Sequence, residues 1–249
     1  MKNLKTNKKG HYFAIGLFLT FLVISIYVIV VFSNEQKKNL VSIEIPQKVQ
    51  ELNLNKTTDQ IYTTDHSFIS LQQTFQQIAL KAAVFDDSCE IYNNHVIWND
   101  NCNPKIEQIN GKFIEFLKIS PDYKPILDNQ ILKMNADTKN LTFYGNEGDF
   151  ELNYSYNPSF SINLTEIRIN FTDFPEIYSK INSKINECKS KDDILNCISM
   201  NSDRWIVSDK SISSGYLLLN FSTTRNYLFA DVSSIRYAPI FMAVALKIN

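Results

Sequence analysis

The sequence predicts an α+β protein: an N-terminal transmembrane helix followed by an extracytoplasmic domain with an antiparallel sheet and two helical pairs. Three observations support this prediction. Residues 12–32 form an apolar run without a charge, apolar residues recur every three or four positions between Asp65 and Phe116, and apolar and polar residues alternate from Gln130 onward. The second pattern is typical of amphipathic helices and the third of half-buried strands.

The apolar run is long enough to cross a lipid bilayer. At about 1.5 Å per helical residue it reaches roughly 31 Å, which matches a hydrocarbon core about 30 Å thick. Core helices and cleaved signal sequences usually have shorter apolar runs, of about 7 to 15 residues. We therefore expect the lipid bilayer to be the partner of residues 12–32.

Lysines around the run indicate its orientation. More of them precede the run than follow it closely: Lys2, Lys5, Lys8 and Lys9 against Lys37 and Lys38. Because basic residues are retained in the cytoplasm, the N-terminus is predicted to lie inside and the remainder outside. The expected organisation is a cytoplasmic basic tail (1–11), a transmembrane helix (12–32), a stalk (33–64) and an extracytoplasmic domain (65–249).

The residues Lys8-Lys9-Gly10 stand directly before the apolar run. This arrangement resembles the class III signal peptide of archaeal type IV pilin-like proteins. The resemblance implies that a prepilin peptidase cuts after Gly10, so that the mature chain begins at His11 with the apolar helix at its end. Ile15 occupies the fifth position after Gly10, where many pilins carry Glu. The alternative is an uncleaved anchor, and in either case Pro46 is expected to end a helix leaving the membrane.

Composition limits the classes of partner. The chain is 44% hydrophobic and 20% charged, with a formal net charge of -1, so the part outside the membrane should fold. Nucleic acid is not expected as a partner, because phosphate binding needs clustered Lys and Arg. The sequence has no glycine-rich phosphate-binding loop and no dinucleotide fingerprint, and we expect no cofactor.

The four cysteines form two local pairs, Cys89 with Cys102 and Cys188 with Cys197. In an oxidising compartment this spacing favours disulfides, and we predict local pairing among the three connectivities that four cysteines allow. A zinc site is not expected, because no C-x-x-C motif is present. The oxygens of residues 99–103 depart from a calcium loop, with Pro104 where that loop requires Gly, and we expect no metal.

Local patterns predict the helices. A stalk with a short strand near Val41 should be followed by a helix capped by Asp65. This helix has an apolar stripe: Phe68, Leu71, Phe75, Ile78, Ala82 and Phe85. We expect the stripe to pack on its own domain; the alternative is packing on a second chain. The glutamines Gln72, Gln73, Gln76 and Gln77 should lie on its other faces. A second helix should follow Pro104 and stop near Ser120.

Downstream, Asp173 and Glu176 form a capping-box pattern that should open a third helix. Ser190, Asp192 and Asp193 should start a fourth, and a Cys188–Cys197 bridge would then connect the two.

Turn signals divide the strands. We expect a hairpin turning at Asn93-Asn94 between the first two cysteines. Turns are also predicted at Gly145-Asn146, Gly148 and Asn157-Pro158, with a bulge or bend at Thr165-Glu166 before strand residues Ile167, Ile169 and Phe171. The last strand, near residues 240–248, should lie inside the sheet because both of its faces can be covered.

No known catalytic motif is present, and we predict that the protein is not an enzyme. Beyond the membrane, His66 and His95 are the available imidazole bases, and neither has an evident partner. The adjacent carboxylates at Asp86-Asp87 and Asp192-Asp193 stand where helix ends or caps would leave them in solvent.

Six N-x-S/T sequons make the protein a candidate glycoprotein: Asn55, Asn140, Asn153, Asn163, Asn170 and Asn220. We expect a structural or interaction role at the cell envelope or surface, with itself or other envelope proteins as partners. The alternative is a membrane-tethered ligand-binding or adhesin-like module, whose cleft could be lined by Tyr154, Tyr156, Tyr216 and Tyr227.

Overall fold

The computed structural model describes residues 8–144, 151–188, 191–199, 202–231 and 234–248. The chain divides into two units, Met1–Thr58 with Asn140–Tyr154, and Asp59–Lys139 with Ser155–Asn249. The predicted combination of helices and antiparallel sheets is confirmed.

A single helix, α1, extends over Lys8–Leu80, has 73 residues and contains Pro46. The predicted helix end at Pro46 is therefore wrong, as are the strand near Val41 and the helix start at Asp65. A proline inside a helix removes one hydrogen bond and costs about 3 kcal/mol. Helix propagation adds one bond per residue on both sides, so a long helix can contain this defect. The residues that follow the apolar run are consequently helical.

The other elements follow in chain order. The first group consists of β1 (Ile91–Tyr92), β2 (His95–Trp98), α2 (Ile106–Phe116), β3 (Tyr123–Asp128), β4 (Ile131–Ala136), β5 (Lys139–Tyr144), β6 (Glu151–Tyr156) and β7 (Phe160–Asn163). The second group consists of α3 (Asp173–Glu187), α4 (Lys191–Cys197), β8 (Trp205–Ser213), β9 (Tyr216–Asp231) and β10 (Ser234–Lys247).

The largest sheet has five strands in the order β1-β2-β10-β9-β8. β10 pairs antiparallel with β9 and parallel with β2, so the predicted position of the last strand inside the sheet is confirmed. Alternate residues of β10 face the core, as the sequence pattern indicated: Ile240, Met242, Val244 and Leu246.

A three-stranded sheet in the order β3-β4-β7 includes a strand that the sequence did not reveal. β3 contains Pro125, which has no N–H to donate, and an edge position tolerates this. The turn that joins β3 to β4 uses Asn129 and Gln130, both with positive φ (44° and 70°). The strands β5 and β6 form a separate pair, and the turn signals at Gly145-Asn146 and Gly148 between them lie outside the described residues.

The predicted bend after β7 is present, but no strand follows it. Residues 164–168 form a turn in which the N–H of Ile169 donates to the carbonyl of Leu164, at 2.9 Å. Arg168 has a φ of 63°. Ile169 and Phe171 are completely buried as predicted for core residues, but they enter the core from a turn and not from a strand.

In the second unit, the end of α1 supplies the centre of the core. Phe75 lies within 5.6–6.3 Å, between ring centroids, of four aromatic rings: Phe171, Phe174, Trp205 and Tyr227. Leu71 and Ile78, on the same face of α1, are also buried. The predicted packing of this stripe on its own domain is therefore confirmed.

Two glutamines of α1 outside the apolar stripe bond to the sheet. Gln72 is 4% exposed, and its side-chain oxygen accepts a hydrogen bond from the N–H of Leu228. The side-chain nitrogen of Gln73 donates to the carbonyl of Ala230, at 2.7 Å. The pairing of β8 with β9 begins at Trp205 and Thr223, so the two side-chain amides bond to backbone groups of β9 that β8 does not reach.

Replacement of Phe75 by alanine should lower the free energy of unfolding by about 3 to 5 kcal/mol, because it leaves a cavity among four rings. Guanidinium unfolding of the full chain in neutral detergent, followed by tryptophan fluorescence, measures this loss, since both tryptophans are buried. Leu80→Ala on the same helix is the control. Leu80 is 60% exposed, and its replacement should change stability by no more than about 0.5 kcal/mol. Equal effects of the two substitutions would contradict the central role of Phe75.

Candidate functional site

The most distinctive surface of the chain is the apolar segment of α1. Residues Leu17–Asn34 have a mean hydropathy of 2.4, and none of this window is buried. Phe18, Phe21 and Ile29 each expose about two thirds of their surface. Soluble proteins rarely leave so large an apolar area in water. The segment is long and apolar enough to cross a membrane, and Gly10 and His11 of the predicted cleavage site lie in the same helix, on its N-terminal side.

Both disulfides have the predicted local connectivity. Cys89–Cys102 has a Cα–Cα distance of 5.7 Å and Cys188–Cys197 one of 6.1 Å. The first closes the loop that contains the β1–β2 hairpin, and the second connects the end of α3 to the end of α4. Stable disulfides are typical of oxidising compartments outside the cytoplasm.

The hairpin inside the first disulfide loop turns at Asn93 and Asn94, which have φ values of 48° and 64° as the sequence predicted. Trp98 is buried, and its ring nitrogen donates to the carbonyl of Ala82, at 3.1 Å. The side-chain oxygen of Asn99 accepts the N–H groups of Asn101 and Cys102. This loop is therefore organised by its own hydrogen bonds.

The two histidines considered as bases contact a ring and a backbone carbonyl. His66 is exposed inside α1 and stacks on Tyr62, with the ring centroids 6.2 Å apart. Nδ1 of His95 contacts the carbonyl oxygen of Asn93, at 2.7 Å. Near the adjacent acids, hydrogen bonds from the side chain and the backbone of Ser88 lower the pKa of Asp86.

A cleft of about 340 Å³ lies at the start of α3 and is lined by Asp173, Glu176, Ile177, Lys180, Ser202, Asp203, Arg204 and Trp205. Its main feature is a bidentate ion pair. Nε of Arg204 donates to Oδ2 of Asp173 at 2.7 Å, and the terminal nitrogen donates to Oδ1 at 2.6 Å. Bidentate pairs of this kind combine charge with fixed geometry.

The capping box predicted at Asp173 is wrong. Asp173 is the first residue of α3, with Thr172 before it as the N-cap residue, and no side chain caps the helix by a hydrogen bond. Instead, the Asp173 side chain is only 7% exposed and pairs with Arg204. No local sequence pattern predicts this pair, because its members are separated by 31 positions.

Burial determines the electrostatics of the pair. Loss of solvent raises the pKa of Asp173, and the hydrogen bond and charge of Arg204 oppose this increase. Burial, followed by the charge of Asp173, also raises the pKa of the Tyr227 hydroxyl, which donates to the carbonyl of Arg168 at 3.0 Å. Both oxygens of the Asp173 carboxylate are held by Arg204, so the ion pair positions α3 against the start of β8.

The tyrosines proposed for a ligand cleft do not line the cleft at Asp173. Tyr156 and Tyr227 are buried. The hydroxyl of Tyr154 donates to the Asn53 side chain, at 3.1 Å, and Tyr216 stacks on Tyr92. These four tyrosines therefore make contacts within the protein, whereas a ligand-binding cleft would need rings that are free to contact a ligand.

The sequon asparagines occupy different local structures, and each is at least partly accessible. Asn55 lies on α1, Asn140 and Asn153 on β5 and β6, and Asn220 on β9. Asn163 ends β7, and Asn170 lies in the segment between β7 and α3. Within the described residues, no group of three or more His, Cys, Asp or Glu side chains is arranged to hold a metal ion.

The chain matches no protein-family model, and it has no significant match among the curated proteins or the solved structures. Its function must therefore be argued from its own residues.

Replacement of Arg204 by glutamine should lower the free energy of unfolding by about 2 kcal/mol near neutral pH, because it leaves a buried carboxylate without a cation. Breaking a fully buried pair would cost more, but Arg204 is partly exposed. Burial already raises the folded-state pKa of Asp173, so ionisation of this group opposes folding. Its protonation favours the folded state below the ordinary Asp pKa, and this contribution is lost as the pH rises through the folded-state pKa.

Without Arg204 that folded-state pKa increases further, so the deficit of Arg204→Gln should diminish as the pH falls toward the ordinary Asp pKa of 3.8. Chemical unfolding at several pH values measures this change. Lys180→Gln, in the same cleft but in an exposed pair with Glu176, is the control and should show little effect. A deficit of Arg204→Gln that does not depend on pH would contradict the assigned role of the pair.

Proposed function

We propose that the protein is a single-pass membrane protein, with a cytoplasmic N-terminus and an extracytoplasmic body that has a structural or interaction role at the cell surface. The observation that carries this proposal is the uncovered apolar segment Leu17–Asn34. Burial of apolar surface contributes about 25 cal/mol per Å², so a segment of this kind requires lipid or apolar protein around it. The two disulfides support an oxidising compartment for the body.

Within this class we propose a pilin-like protein. The Lys8-Lys9-Gly10 motif stands at the start of α1, and the helix continues through Pro46 instead of ending there. One helix therefore contains the exposed apolar segment and also the residues that enter the core of the second unit, such as Phe75. A helix of this composition can hold a body at the membrane, and after cleavage its apolar segment could pack against the same segment of other copies.

A ligand-binding module is the second candidate, and the cleft at Asp173 is the observation that favours it. Its volume of about 340 Å³ is at the lower end of the range for small-molecule sites. However, Asp173 is paired with Arg204, and Glu176 is paired with Lys180. Because these charges satisfy one another, the cleft offers few free polar groups to a ligand, and we favour the structural role.

The proposed topology has a direct test. Trypsin added to intact cells should digest the body, whereas a cytoplasmic marker protein remains intact. A thiol reagent should label none of the cysteines before reduction and all four after it, because all are in disulfides. Protection of the body from external trypsin, or labelling of free thiols in the native protein, would contradict the extracytoplasmic location.

The pilin-like proposal depends on the mature N-terminus. Mass spectrometry of the protein from its own cells should find a chain that starts at His11. Gly10→Val should retain the upstream residues, because the side chain blocks the peptidase. The Gly16→Val chain, substituted inside the apolar run and outside the motif, should still start at His11. A wild-type chain that begins at Met1 or Lys2 would show an uncleaved anchor instead.

A further inference from the structure

Two of the sequons share a turn that joins their two defining side chains. In Asn163-Leu164-Thr165 and in Asn170-Phe171-Thr172, the asparagine Oδ1 accepts hydrogen bonds from both the N–H and the hydroxyl of the threonine. The hydroxyl bonds are 2.8 Å long in both cases, and the N–H bonds are 3.1 and 3.2 Å. The middle residues, Leu164 and Phe171, are completely buried. The two side chains that define the motif therefore lie together at the surface.

The remaining sequons lie within the helix α1 or within strands. On α1, residues two positions apart face different sides of the helix, and Thr57 donates to the carbonyl of Asn53 instead of contacting Asn55. On β5, the Thr142 hydroxyl donates across to Asn153 and not to Asn140. Asn220 lies on β9 between two neighbouring strands.

The two turn sequons differ in the hydrogen bonds of the asparagine side-chain nitrogen. Nδ2 of Asn163 donates to the carboxylate of Glu166, at 3.1 Å. Nδ2 of Asn170 makes no hydrogen bond within the described part of the chain, although its oxygen is fixed by Thr172. Substitution of one hydrogen on this nitrogen therefore breaks no contact and leaves the turn intact.

We propose that Asn170 carries an N-linked glycan. The inference rests on the proposed extracytoplasmic location of the body, because glycans of this type are found on surface loops of exported proteins. The donor is an oligosaccharide linked to a lipid phosphate. Transfer forms a bond from Nδ2 of Asn170 to the anomeric carbon, breaks the bond between that carbon and the phosphate oxygen, and releases one amide proton with the lipid phosphate.

The turn geometry alone does not carry this proposal. The same turn occurs at Asn157, whose Oδ1 accepts the N–H and hydroxyl of Ser159. Pro158 stands between them, and a proline at this position excludes transfer. Asn170 combines the turn with a permissive middle residue and an unbonded nitrogen, and Asn157 provides an internal negative control.

The experiment uses the full chain, purified from the membranes of its own cells and digested with trypsin. Cleavage after Arg168 and Lys180 gives the peptide 169–180, in which Asn170 is the only sequon. In the wild type this peptide should carry the added mass of an oligosaccharide. Thr172→Ser keeps the hydroxyl and should keep the glycan, whereas Thr172→Val should lose it.

Asn170→Asp is the matched structural control. The aspartate oxygen can accept the same two hydrogen bonds, so the turn and the stability should be kept while the glycan is lost. Suppose that external trypsin digests the body but the wild-type peptide 169–180 is found solely in its unmodified form. This result would overturn the glycan but not the topology. A body protected from external trypsin would overturn the topology, and the glycan proposal with it.

Discussion

The insertion of Phe75 among four aromatic rings is the contact on which the second unit depends. The rings come from the segment before α3, from α3 itself and from the strands β8 and β9, so one side chain of α1 joins elements that are distant in sequence. Aromatic pairs contribute about 0.5–1.5 kcal/mol each beyond the area that they bury. Phe75 is thus the residue through which α1 organises the core of this unit.

The polar contacts of α1 explain why this helix, and not another strand, covers the sheet. β9 extends beyond the first residue of β8, and an open strand edge invites pairing with other chains. Gln72 and Gln73 bond to this edge at Leu228 and Ala230. The helix thus contributes the apolar face that fills the core and the amides that close the edge, which reduces the risk of edge-to-edge aggregation.

Sequence patterns identified the features that depend on neighbouring residues. The apolar run, the Asn93-Asn94 turn, the helix α2 and the alternation in β10 are all local, and the structure contains them. The cysteine pairs are also close in sequence. These features could be predicted because the residues that determine them lie within one turn, one helix or one strand.

The incorrect predictions involve residues whose partners are distant in sequence. Gln72 is polar and lies outside the apolar stripe, but it is buried because its partner on β9 is 156 positions away. Asp173 has the composition of a cap, yet Arg204 provides a stronger interaction than a helix N–H. Pro46 was interpreted by its local preference alone, and the length of α1 outweighs it. In each case local preference was opposed by a larger interaction.

The same distinction bears on function. A site for catalysis or ligand binding needs polar groups that remain free for a substrate, and it often holds them with perturbed pKa values. Asp173 has such a perturbed pKa, but both of its oxygens are occupied by Arg204. The apolar segment Leu17–Asn34 is different, because the described chain provides nothing that covers it. Contact of this segment with lipid or apolar protein would therefore be strongly favourable. The proposed function is placed at the membrane for this reason, and not in the cleft.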